Sequence, residues 1–329
     1  MKRRDFIALL GGATAAAAMG SRGALAQPKV IRRVGFLGGV NLIAPQSENY
    51  RAFLSQMDEL GFRAGRNIII EYKALADPRG PAGSVSDLLR SKPDVMVVTG
   101  PEIGLQAVVA QDKAKPAVFF STQYDPVEHK HVASLDKPGG NITGVYISPS
   151  DVAAKQIELF IEALPGRKRL AVAWDAETAD QMAIIERAGK AAGLDIFPIR
   201  HERPPYSIDL TFRNFVVRKV HAAMFLPSQH FGGRRSLIAQ LAIKRKLPTL
   251  FASHAYVDSG GLLSLGIDYP AALRSLADIT GKILRGEKPA NIPVDRTAKL
   301  ELAVNKKTAA ALGIEIPEAI LKRAAKTVE

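Results

Sequence analysis

Residues 118–145 read VFFSTQYDPVEHKHVASLDKPGGNITGV. The apolar run Ala117–Phe120 that leads into this stretch carries no polar alternation, which is the pattern of a parallel strand buried on both faces. It breaks at Ser121-Thr122-Gln123-Tyr124-Asp125-Pro126 and turns at Pro138-Gly139-Gly140-Asn141, and a new helical pattern opens near Ser150. In open α/β sheets a ligand sits beyond the carboxyl ends of the strands. Ser121–Pro126 is therefore the expected ligand loop, and the chain after it must leave one sheet and start another.

Upstream, strand and helix patterns alternate. Strands are expected at Val30–Leu37, Ile68–Tyr72, Val95–Thr99 and Ala117–Phe120, the last closing the first series. Helices are expected at Gln46–Leu60, Pro81–Arg90 and Ile103–Asp112, the first with Tyr50, Phe53, Leu54, Met57 and Leu60 on one face. Downstream, helices at Ser150–Leu164, Ala179–Ala192, Tyr206–Val217, Gly233–Lys246 and Pro270–Arg285 alternate with strands at Arg169–Trp174, Leu194–Ile199, Ala222–Leu226, Pro248–Phe251 and Leu262–Leu265. A strand at Lys299–Val304 and helices at Lys306–Leu312 and Pro317–Ala325 end the chain. Two such series predict an α/β protein with two doubly wound parallel-sheet lobes.

The 329 residues suffice for two cores. At 47% apolar residues the chain is neither disordered nor a multi-span membrane protein. The start differs: Lys2-Arg3-Arg4-Asp5-Phe6-Ile7, an apolar stretch Ala8–Met19 and Ala24-Leu25-Ala26 form an export signal, of twin-arginine type by its arginine pair. Cleavage is expected after Ala26, leaving a soluble protein in the periplasm. There is no cysteine, hence no disulfide and no lipid-attachable thiol. The formal net charge is +13, and the basic residues are scattered (Arg32-Arg33, Arg167-Lys168-Arg169, Arg234-Arg235, Lys244-Arg245-Lys246), as on a solvated surface.

Catalytic signatures are missing. The sequence has no G-x-S-x-G elbow and no phosphate loop, and His201-Glu202 runs into Arg203-Pro204-Pro205 instead of completing H-E-x-x-H. His129-x-His131 reads as a pair of exposed loop histidines rather than a metal site, and Gly35-x-x-Gly38-Gly39 lacks dinucleotide-loop spacing. No cofactor, metal or catalytic residue is expected. What recurs instead is small and hydroxylic residues at strand ends: Gly39 and Asn41, Thr99-Gly100, Ser121-Thr122, Asp175, Ser228-Gln229, Ser253-His254 and Asp268. Such groups present N–H donors, hydroxyls and carboxylates to a ligand, although each also suits a helix cap. Trp174, the only tryptophan, reads first as core filler and second as a wall of the ligand site. The chain reads as a binder.

Several stretches resemble one family: Phe53 with Glu59-Leu60-Gly61-Phe62, Gly65, Asn67-Ile68 and Ile70-Glu71-Tyr72; Asp125-Pro126-Val127; Ala133-Ser134-Leu135; Pro138–Val145; Gly260-Gly261-Leu262 with Ser264; Ile283–Val294; and Asn305 with Lys307-Thr308-Ala309 and Leu312-Gly313. They are similar to the ABC-transporter substrate-binding proteins of the tryptophan/tyrosine-binding type. The resemblance implies the type I periplasmic binding protein fold, with two lobes joined by several crossovers: residues 28–144 with 268–291, and 145–267 with 292–329. It also implies a monomeric receptor that closes over a small amino-acid-like ligand and docks on an ABC permease in the inner membrane. The alternative is a periplasmic sensing partner of a signalling protein. A DNA-binding protein of this fold would carry a helix-turn-helix where this chain has its export signal, so no nucleic acid is expected.

Carried over, ligand contacts come from Thr99-Gly100, Ser121-Thr122 and Asp125 on one lobe and from Trp174-Asp175, Ser228-Gln229 and Ser253-His254 on the other. This sequence departs from the family at Tyr124, which stands where a small residue usually precedes Asp-Pro and would partly fill the cleft. It departs again after Trp174-Asp175, where the usual proline is missing, and at Arg79-Gly80-Pro81.

Overall fold

The computed structural model describes residues 31–38, 43–75, 80–297 and 299–329, apart from the side chain of Gln229. The expected export signal, Gly39, Asn41 and Arg79 lie outside the described residues.

The first lobe takes the elements β1 (Arg32–Gly38), α1 (Glu48–Glu59), β2 (Ile68–Ala74), α2 (Gly80–Arg90), β3 (Val95–Thr99), α3 (Glu102–Gln111), β4 (Ala117–Ser121) and β5 (Ile142–Tyr146). Their five strands are all parallel, in the order β2-β1-β3-β4-β5. The second lobe opens with α4 (Pro149–Ala163), β6 (Arg169–Asp175), α5 (Ala179–Ala191), β7 (Asp195–His201), α6 (Ile208–Val217) and β8 (Ala222–Phe225). It continues through α7 (Gln229–Gly232), α8 (Arg235–Lys244), β9 (Thr249–Phe251), α9 (His254–Asp258) and β10 (Leu263–Ile267). The chain then returns to the first lobe as α10 (Tyr269–Leu284) and crosses again into β11 (Leu300–Asn305), α11 (Lys306–Leu312), α12 (Glu318–Arg323) and β12 (Lys326–Val328). The second sheet runs β12-β11-β10-β9-β8-β6-β7. The two-lobed α/β architecture expected from the periodicity is the one observed, with one exception: β11 pairs antiparallel to β10.

Local chemistry explains the elements that matter. Helix α1 starts because Ser47 accepts the Tyr50 amide at 3.1 Å, and it buries Tyr50, Ala52, Phe53 and Met57. Gly61 then takes φ 89°, which ends the helix. The fully buried Phe53 contributes about 1.5–3 kcal/mol by area alone, and it meets Phe36 edge-on at 5.2 Å. The face covering α1 comes from far along the chain: α10 buries Leu273, Leu276 and Ala277 against the first sheet. Gln56 donates to Asp278 at 3.0 Å, and Arg285 donates to the Leu60 carbonyl at 2.7 Å. The first lobe is thus finished by a segment more than 200 residues downstream.

Strand β5 was not among the sequence expectations. It has only five residues and carries Gly144 at its centre, a weak strand former. Register demands the glycine, since a Cβ there would lie 2.1 Å from the Phe119 carbonyl oxygen. Because β5 belongs to the first sheet, the crossing begins after Ile147, whose amide donates to Ser121 O at 2.9 Å, and not at residue 145. Residues 292–295, expected in the second lobe, run against the first. Thr143 donates to Ile292 O at 2.7 Å, Val294 donates to Leu135 O at 2.7 Å, and Asp295 brackets β5 through Gly144 O and the Tyr146 amide. Among the described residues the chain crosses three times, after Ile147, between Ile267 and Tyr269, and after Asp295.

Candidate functional site

Between the lobes lies a cavity of about 750 Å³. The first lobe supplies Glu48 and Asn49 from the start of α1 and Thr122 from the loop after β4. The second supplies Gln181, Ile184 and Ile185 of α5, Leu226-Pro227-Ser228 after β8, Gly232 of α7, Ser253 and His254 after β9, Tyr256 of α9 and Glu301 of β11. The first two crossings form the back wall through Ile147, Pro149, Ile267, Tyr269 and Pro270. Aliphatic side chains and two tyrosines thus enclose a few polar groups, the composition of a small-molecule site.

Four of the expected site residues meet here: Thr122, Ser228, Ser253 and His254. Ser253 also caps α9 by accepting the Ala255 amide at 3.3 Å, and His254 Nδ1 lies 3.5 Å from Glu301. The strand-end residues Ser228-Gln229 and Ser253-His254 stand at the starts of the short helices α7 and α9.

Asp175 stands one layer behind. It is 1% exposed and accepts hydrogen bonds from the Ser228 hydroxyl, from Tyr206 Oη at 3.3 Å, from the Glu177 amide at 3.1 Å and from Thr178 Oγ1 at 3.3 Å. Ser228 Oγ in turn accepts the His230 amide at 3.2 Å, so this wall residue is locked by the buried carboxylate. Burial, with Asp175 nearby, raises the Tyr206 phenol. Burial also lowers His201 against the opposing pull of Asp175.

Other expected contacts point elsewhere. Thr99 is fully buried and donates to Leu37 O at 3.4 Å within the sheet, and Gly100 uses φ 99° to turn out of β3. Ser121 donates to Tyr124 O at 2.7 Å and so closes its own loop. Tyr124 does not fill the cleft. Its ring packs on Phe119, His129 and His131 at 5.7–6.4 Å, and burial, aided by the Glu102 charge, raises its phenol. Asp125 caps the following turn through the Val127 and Glu128 amides at 2.7 and 3.1 Å and faces Tyr146, whose phenol burial and that carboxylate push up to about 12. Trp174 lies on the α5 side of the second sheet with the Arg200 guanidinium 5.3 Å from its ring centroid, and its Nε1 is buried without a partner among the described residues. Asp268 caps α10 through the Ala271 amide at 2.9 Å. The small hydroxylic residues at these strand ends serve mostly as caps and loop staples.

The histidine pair also departs from expectation. His131 has a side chain only 9% exposed, and both rings grip Glu102, at 2.8 Å from His129 and 2.7 Å from His131. The carboxylate sits 27 or more positions away, which sequence spacing could not connect. Among the described residues no group of three or more His, Cys, Asp or Glu is placed to hold a metal ion. No helix among them is long and apolar enough to cross a membrane.

Glu48, Asn49, Gln181, Tyr256 and Glu301 escaped the sequence reading. The first three lie on helices rather than at strand ends, Glu301 lies on the antiparallel β11, and Tyr256 carries only a helical apolar signal.

Comparison with known proteins agrees with this picture. Residues 45–328 match the family model described as ABC transporter substrate binding protein. A Tyrosine-binding protein of Clostridioides difficile (strain R20291) is 22% identical over 269 residues, covering 80% of this chain and 76% of its own length. A conserved domain protein from Vibrio cholerae superposes with a TM-score of 0.72 at 26% identity, covering 90% of this chain and 99% of that one. The Streptococcus pneumonia ABC domain solved in complex with L-Trp superposes with a TM-score of 0.69 at 23% identity, covering 91% of this chain and all of that one.

Proposed function

Because the chain belongs to the family of ABC transporter substrate-binding proteins, we propose that it is the solute receptor of an ABC importer. In this reading it is a binder without catalytic residues, as its family is. It takes a small amino-acid-like metabolite into the inter-lobe cavity and presents it to an inner-membrane permease. The observation that carries the reading is the cavity itself, which is walled by both lobes and backed by two of the segments from which a hinge would be made. Its volume falls within the range of small-molecule sites. The similarity to a tyrosine-binding protein and to a domain solved with L-Trp favours an amino-acid-like cargo. Thr122, Ser228, Ser253 and His254 are the polar contacts we assign to the ligand, with Asp175 holding Ser228 in place.

A ligand touching both walls stabilises the closed form. Shifting an open–closed balance from 1:99 to 99:1 takes about 5.5 kcal/mol of differential binding, and a micromolar ligand supplies about 8 kcal/mol in total. The receptor acts as a monomer in the periplasm after removal of residues 1–26. A thermal-shift screen of the purified protein against amino acids, aromatic metabolites and small acids tests the reading. One chemical class at 100 times its Kd adds about 2.7 kcal/mol of stability and raises the midpoint by a few degrees. No shift anywhere in a broad panel would count against the receptor role.

A further inference from the structure

We infer that the ligand is recognised through a positively charged amine, and that the cleft requires no carboxylate on it. The inference rests on the receptor reading above and narrows its cargo.

The helix N-termini come first. An anion bound in an α/β cleft ordinarily uses bare N–H groups and the positive end of a helix dipole. Helices α1, α4 and α10 all bring their first turns to the cavity, and each is already capped by its own chain. Ser47 accepts the Tyr50 amide, Ser148 accepts Asp151 and Asp268 accepts Ala271. In α4 and α10 a proline in the first turn, Pro149 and Pro270, removes a further donor. All three starts also carry a carboxylate: Glu48 in the first turn of α1, Asp151 in that of α4 and Asp268 as the cap of α10. At each of these starts one amide is already taken and a carboxylate stands close by, so a ligand carboxylate meets like charge there.

Charge points the same way. The charged lining side chains among the described residues are Glu48 on the first lobe and Glu301 on the second, with His254 beside Glu301. No Lys or Arg is among the described lining residues, although the chain carries a formal net charge of +13. The nearby Arg235 turns its guanidinium onto the Gly232 carbonyl at 3.2 Å and is not part of the wall. An ammonium in the cavity has a carboxylate on each lobe, whereas a carboxylate has no cationic Lys or Arg side chain in the described wall.

An independent observation marks the place as built for a ligand. Tyr256 lines the cavity, is 6% exposed and leaves its Oη without a hydrogen-bond partner among the described residues. Gly232, on the same wall, has this oxygen as its near neighbour. Burial raises the phenol, so it stays neutral and can accept from an ammonium N–H. An unpaired buried hydroxyl is costly, and a bound N–H group relieves that cost.

The test uses calorimetric titration of the purified protein with three matched trios: tyramine, tyrosine and 3-(4-hydroxyphenyl)propionate; tryptamine, tryptophan and 3-indolepropionate; isoamylamine, leucine and 4-methylpentanoate. Within at least one trio the amine should bind no more than a few-fold weaker than the amino acid, and the acid at least about tenfold weaker than either. Glu301→Gln should weaken the amine about tenfold or more, the scale of a charged hydrogen bond, at an unchanged thermal midpoint. Tyr256→Phe should also weaken it while leaving the ligand-free protein at least as stable. An acid that binds as well as its amino acid overturns the inference, as does an amine that fails where its amino acid binds, or amine affinity untouched by Glu301→Gln. Those outcomes leave the receptor reading standing. Silence from all nine compounds removes the inference, and silence from the wider thermal-shift panel as well would bring down the receptor reading.

Discussion

Replacing Asp175 by asparagine should destabilise the second lobe and weaken the wall of the cavity together. The carboxylate is 1% exposed, and one of its oxygens takes the Ser228 hydroxyl and Tyr206 Oη. In the asparagine variant an NH₂ group stands where that oxygen was and faces two hydroxyl donors. Two charge-assisted bonds of about 1.5–3 kcal/mol each are lost, and neutral bonds of about 0.5–1.5 kcal/mol each replace them if the hydroxyls turn. The net cost is about 2–3 kcal/mol, or a fall in midpoint of roughly 5 °C. Tyr206→Phe removes one bond at 3.3 Å and should cost about 1 kcal/mol. The double variant should lose less than the sum of the two, because both changes act on one network. Urea unfolding followed by Trp174 fluorescence is a direct assay, since the only tryptophan adjoins Asp175. A cost for Asp175→Asn below about 0.5 kcal/mol, or strict additivity with Tyr206→Phe, would refute the network.

Two further outcomes follow from the first lobe and the hinge. Gly144→Ala places a Cβ 2.1 Å from the Phe119 carbonyl oxygen and should cost about 1–3 kcal/mol, read as a lowered urea midpoint; an unchanged midpoint would contradict the β4–β5 register. Acid should also loosen the molecule. Burial raises Glu102, but hydrogen bonds from His131, His129 and Gln106 outweigh it and hold the carboxyl below its ordinary 4.5. Burial likewise raises Asp295, but bonds from Ser275 and Thr297 hold it below its ordinary 3.8. Both groups are lowered, so their stabilisation is fully present above those ordinary values and is lost as pH falls through the lowered ones. Thermal midpoints measured from about pH 6 to pH 3 should fall at the acid end, and Asp295→Asn should flatten part of that fall. An equally steep fall in the variant would remove Asp295 as a contributor.

The parallel core was legible because its strands are continuous apolar runs. Val95–Thr99 is fully buried along its length and was bounded from sequence without error, as was helix Lys306–Leu312. β5 was not, because its burial comes from α10 and from residues 292–295, which are far away in sequence. The cleft was half legible. Strand ends do point at it, but at Ser121, Asp125 and Asp268 the polar groups are used up in capping or stapling the local backbone. A capping serine and a ligand-binding serine look the same in sequence, and only the enclosing walls separate Ser121 from Ser228. The same holds for Glu102 between His129 and His131, a contact made by folding alone.

Whether ligand occupies the inter-lobe cavity can be read at Gly232. This residue lines the cavity, and among the described residues a Cβ there meets nothing closer than Tyr256 Oη at 4.0 Å, so a larger side chain grows into the open space. Gly232→Leu should keep the thermal midpoint of the ligand-free protein and abolish calorimetric binding of whichever amine or amino acid the wild type takes. A variant that folds normally and binds with unchanged affinity would place the ligand elsewhere and contradict the account.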